Sequence, residues 1–176
     1  MEKTNRTKEL VIAGTLLAMG IIITNIFHAT GIPGTIFLPM HIPVFLGGLL
    51  LPPYLALILG MIMPIISSII SGMPPLFPMA VIMVFELGAY GLIASILYRK
   101  MKIPPIIALI ISMIGGRLMA GLVVFLLATF FAVELSPMTF VISGVITGLP
   151  GIGIQLVLIP SLIYGIVRYT TIDLDY

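Results

Sequence analysis

Apolar residues fill this chain in unbroken runs, without the helical stripe or the strand alternation of a half-buried element. From Leu10 to Tyr98 the only Asp, Glu, Lys or Arg is Glu86, and from Ile103 to Val133 it is Arg117. Runs of about 20 apolar residues are what a helix needs to cross a bilayer. Proline pairs, Pro52-Pro53, Pro74-Pro75 and Pro104-Pro105, stand where one run gives way to the next. Proline lacks a backbone N–H and restricts the residue before it, so these pairs mark helix ends. The pattern predicts six spans, at about residues 8–30, 40–51, 53–71, 78–98, 104–131 and 137–168.

Two of the six have unusual lengths. Span two is too short for an upright crossing, so a short tilted helix or half of a re-entrant hairpin with span three is expected there. Span six is too long, so it should tilt or bend near Pro150-Gly151 or Pro160. Charge then orients the set. Lys3, Arg6 and Lys8 precede span one, Arg99, Lys100 and Lys102 follow span four, and Arg168 closes span six. The loops after spans one, three and five carry no Lys or Arg. The positive-inside rule puts both termini in the cytoplasm and the segments 31–38, 72–77 and 132–136 outside.

Composition agrees with the pattern. Of 176 residues, 60% are hydrophobic and 8% charged, against about 25% charged in a typical soluble domain. The expectation is an all-α integral membrane protein, a six-helix bundle forming one domain over residues 1–176. The bilayer is its surroundings, and a prokaryotic cell membrane its expected place. The chain has no cysteine, which removes disulfides, thiolate metal sites and cysteine nucleophiles. A net charge of +2 gives no reason to expect a nucleic-acid partner. The first run is too long for a usual signal-peptide core and no good cleavage site follows it, so an uncleaved span is expected. No direct or inverted repeat is legible.

Charged residues inside a membrane are costly and usually face the protein interior. Glu86 lies eight residues into span four, roughly 12 Å below its outer end at the helical rise. Arg117 lies fourteen residues before Phe131, roughly 20 Å deep or somewhat less. The two can therefore sit at similar depth. Either they pair and only hold helices together, or at least one lines a polar pocket open to the outside. Small residues flank Arg117 in Gly115-Gly116-Arg117 and at Ala120-Gly121, leaving room for close helices or for a ligand. Tyr90 shares a helix face with Glu86. Asn25, His28 and His41 cluster toward the outer side, Thr147 lies nearby on span six, and Gln155 is deeper. The turns around Gly31–Gly34 and Ser71–Pro75 are either plain connections or lids, with Gly34 at a hinge and Met73, Leu76 and Phe77 as apolar covers.

Chemical motifs are missing. There is no phosphate-binding G-x-x-x-x-G-K-[ST], and Gly148–Gly153 is only glycine-rich. There is no H-E-x-x-H, and neither histidine has paired carboxylates near it in sequence. No catalysis, metal or cofactor is expected.

These features together resemble the substrate-binding component of an energy-coupling factor (ECF) vitamin transporter. The likeness covers nearly the whole chain. It rests on the short second span opened by Leu38-Pro39-Met40-His41-Ile42-Pro43, on Gly47-Gly48, on the Ser71–Pro78 loop ahead of Phe85-Glu86-Leu87, and on Gly115-Gly116-Arg117. The resemblance implies an outward pocket between the outer loops and spans four to six. It also implies a small-x-x-x-small motif on the first helix that meets a transmembrane coupling protein. Gly14-Thr15-Leu16-Leu17-Ala18 fits, with Gly in place of the usual first Ala. Two cytoplasmic ATPases would then drive import.

For the cargo, Arg117 suits a carboxylate, phosphate or polarised carbonyl, and Glu86 an amine, hydroxyl or protonated ring nitrogen. Pantothenate and the pyridoxine-type vitamins lead, while the lack of Trp argues against a large flat ring. The alternatives are a stand-alone proton-coupled carrier using Glu86 and a non-transporting scaffold.

Overall fold

The computed structural model describes residues 2–169, without the side chains of residues 2–5, 167 and 169. The Lys3 side chain and residues 1 and 170–176, part of the expected domain, lie outside the described set. Among the described residues every regular element is a helix: α1 (Glu2–Ala29), α2 (Gly34–Phe37), α3 (His41–Leu50), α4 (Pro53–Ser71), α5 (Val81–Ser95), α6 (Pro105–Phe131) and α7 (Pro137–Tyr169). The turn Leu76–Ala80, broken by extended backbone at Phe77, leads into α5, and a wider π-type turn, Ile96–Lys100, extends its other end. Among the described residues five helices are long and apolar enough to cross a membrane, and Gly34–Leu50 is a shorter apolar stretch.

The proline pairs do what their chemistry dictates. Pro52 and Pro104 take extended backbone as N-caps, and Pro53 and Pro105 open α4 and α6. A missing N–H costs nothing at the first turn, where that donor has no intrahelical partner. Pro150 and Pro160, expected to bend the last span, lie inside α7, which continues through both.

α5 is the central helix, packed against α3, α4 and α6. Lipid tails are as apolar as leucine, so helices in a membrane associate through close packing. The α4–α5 seam shows how. A Cβ on Gly60 would fall on the Leu87 carbonyl, and one on Gly91 on the Ala56 carbonyl. Only glycine lets the two backbones lie so near. Val44, Phe45, Leu49, Met63, Leu87, Ile159 and Ile163 fill the main core. Ile22, Ile69, Leu118, Phe130 and Val157 face outward, an apolar exterior suited to lipid.

The short second span turns out to be half helix. α3 starts with His41 beside the Tyr90 ring and ends at Leu50 and Leu51. The carbonyls of those two residues accept hydrogen bonds from Arg99 (3.1 Å) and Ser95 (2.7 Å). Ten residues rise about 15 Å, half the hydrocarbon thickness. Residues 30–40 before α3 hold only the single turn of α2 amid irregular backbone and fold in against α7. A Cβ on Gly151 of α7 would lie 2.7 Å from the carbonyl oxygens of Ile36 and Phe37. Leu38 takes left-handed backbone there, at φ 51°. Irregular backbone at membrane depth survives only where protein buries it or a cavity hydrates it.

Candidate functional site

Glu86 on α5 and Arg117 on α6 face each other. An Arg117 Nη1 donates to Glu86 Oε1 at 2.9 Å. The Tyr90 hydroxyl, one turn along α5, donates to the same oxygen at 2.7 Å. Glu86 is 3% exposed and Tyr90 2%, while the Arg117 side chain keeps 13%. Glycines make room for the group. A Cβ on Gly116 would run into the Tyr90 ring, and one on Gly144 of α7 would lie 2.8 Å from Arg117 Nη1. The other guanidinium nitrogen reaches the Gly144 carbonyl at 3.4 Å, a long and weak contact.

The group also borders a hollow. Glu86, Arg117 and His41 line a cavity of about 750 Å³, within the range of about 300–1,000 Å³ typical of small-molecule sites. Its wall comes from the end of α1, the irregular segment before α3, the turn after α4, the start of α5 and the first turns of α7. All of these lie at the end of the bundle away from Arg99. Ser67 fixes the turn after α4 by donating to the Met73 carbonyl at 2.8 Å, and Ser68 donates to that of Pro74. Met73 and Pro74 are thereby set against the cavity.

The structure brings some of the sequence candidates together and leaves others apart. Glu86, Arg117, His41, Thr147, Gly34 and Met73 line the cavity, as does His28. Tyr90 is a second layer: it does not line the cavity but holds Glu86, and its ring packs on Phe45 at 4.9 Å and His41 at 5.3 Å. Asn25 lies off the cavity, its amide turned back to the Ile21 carbonyl of its own helix at 2.8 Å. Gln155, also off the lining, is 1% exposed and donates to the Leu38 carbonyl at 3.2 Å. It pins the irregular segment. Leu76 and Phe77, expected covers, are mostly exposed, and Phe77 lies edge-on to Phe131.

Several lining residues escaped the sequence reading: Phe27, Met40, Met79, Met83, Phe140, Ser143 and Gly144. A signal for some was present. Met79, Met83 and Glu86 fall at i, i+4 and i+7, and Phe140, Gly144 and Thr147 repeat that spacing, so each set shares one helix face.

Buried polar atoms without partners occur on two of the sequence candidates. Both ring nitrogens of His41 and Oε1 of Gln155 are buried with no hydrogen-bond partner. At the outer face of α1, Gly14 and Ala18 are exposed, and nothing lies within 4 Å of where a Gly14 Cβ would be. Among the described residues no cluster of three or more His, Asp or Glu could hold a metal.

The family model for the substrate-specific component of ECF transporters matches residues 8–163. No curated protein and no solved structure matches the chain. The family match takes in all five long apolar helices, both cavity charges and the α1 small-residue motif. The chain belongs to the substrate-specific components of ECF transporters, multi-pass membrane subunits that serve substrate uptake and are not enzymes.

Proposed function

We propose that this chain binds a small water-soluble vitamin or precursor, of the pantothenate or pyridoxine type, in the cavity beside Glu86 and Arg117. It then delivers the cargo inward as the substrate-specific subunit of an ATP-driven importer. The observation that carries the reading is the double placement of the charged pair. It is buried among helices, yet both members also line a cavity of about 750 Å³. A purely structural pair has no need of such a hollow.

The orientation proposed is that of the positive-inside rule, with both termini in the cytoplasm of a prokaryotic cell and the cavity toward the exterior. Six crossings follow if the half-irregular stretch 31–51 counts as one. His41, Glu86, Arg117 and Thr147 contact cargo, with Tyr90 behind them, and Gly34 and Met73 belong to the gate. The Gly14–Ala18 face of α1 meets the transmembrane coupling protein, which links to two cytoplasmic ATPases. Its exposure and open surroundings support that role.

Uptake into liposomes tests this. The chain alone, under a pH gradient, should move no pantothenate or pyridoxine. Addition of the coupling protein, the ATPases and ATP should start uptake of one of them. Gradient-driven uptake by the chain alone would instead establish the proton-coupled carrier.

A further inference from the structure

The charges at the cavity floor cancel. Glu86 Oε1 accepts from both Arg117 and Tyr90, the behaviour of an ionised carboxylate, which is acceptor-only. One negative group therefore faces one positive group. The other ionisable side chains that line the cavity are His28, exposed at the rim, and His41. Neither ring nitrogen of His41 has an acceptor to hold a second proton, so the buried ring is neutral. The remaining wall is largely apolar, with Phe27, Met79, Met83 and Phe140 prominent.

An anionic guest in such a place would set two buried negative groups against the one guanidinium. A cationic guest would set two positive groups against the one carboxylate. A buried charge without its own partner is among the costliest features a protein can carry. A neutral guest meets no such conflict. It can donate to the Glu86 carboxylate and accept from the guanidinium nitrogen that makes only the long contact to Gly144. We infer that the cargo is a molecule of no net charge, with hydroxyl, amide or ring-nitrogen groups at one end and an apolar face at the other. The inference rests on the cavity being the cargo site, and of the two vitamin types it selects the pyridoxine type.

The test uses the full chain purified in detergent at neutral pH. Small molecules released on denaturation are identified by mass, and binding of pyridoxine and of pantothenate is titrated. The released molecule should be uncharged, and pyridoxine should bind more tightly than pantothenate. Glu86→Gln, which leaves Arg117 uncompensated, should move the preference toward pantothenate by about tenfold or more. Release of a charged molecule, or tighter binding of pantothenate by the unaltered chain, overturns the inference and leaves the transport reading standing. No released molecule and no binding of either probe would bring down the transport reading, and this inference with it.

Discussion

At Glu86 a single carboxylate oxygen takes two donors, Arg117 at 2.9 Å and Tyr90 at 2.7 Å. Under the proposed function this carboxylate both joins helices and meets cargo, and substitutions separate the two roles. Arg117→Ala strands a buried carboxylate, so thermal unfolding should show a loss of about 3–5 kcal/mol. Glu86→Met with Arg117→Met removes both charges and should recover most of that loss, because well-packed apolar residues often replace a buried pair at no cost. The similar depth of the two charges was legible from helix rise alone. Their pairing was not. α6 is apolar nearly all round, so its sequence carries no phase to say which face turns inward. Tyr90, four residues from Glu86, was found because a one-turn spacing needs no knowledge of rotation. Asn25 lies off the cavity lining for a related reason, since its amide turns back to its own helix backbone.

Among the elements, α5 is held by backbone contacts that no side chain could replace. Gly91→Ala would force a methyl group onto the Ala56 carbonyl. Overpacking of this kind costs about 1–3 kcal/mol, which a lowered melting temperature in detergent should show. Gly14→Ala, with nothing within 4 Å, should leave that temperature unchanged. The helix starts were legible because the pairs Pro52-Pro53 and Pro104-Pro105 favour a helix start, where the missing N–H costs nothing. The wall formed by residues 31–40 was not. Apart from the four residues of α2 its backbone is irregular, and irregular backbone has no period to read. The sequence showed that the second span is too short, and the packing of residues 36–38 on α7 shows how the missing half is made up.

For the molecule as a whole, the lack of native cysteine makes orientation simple to measure. Under the proposed topology, a single cysteine at Ser136 should react with a membrane-impermeant maleimide in intact cells, and one at Lys102 should not. The reverse pattern would invert the bundle. Ala18→Leu adds bulk to the exposed face of α1 without entering the core. It should leave cargo binding by the isolated chain intact and lower ATP-driven uptake by about tenfold or more, as expected when close helix approach is blocked.

The central claim is that a buried charged pair grips cargo in addition to joining helices. The most direct measurement is cargo retention by the purified chain and by its Glu86→Met/Arg117→Met double variant, compared at matched thermal stability. The account expects the native chain to carry a bound small molecule and the folded double variant to carry none. Equal retention by both would mean that the two charges only fasten α5 to α6.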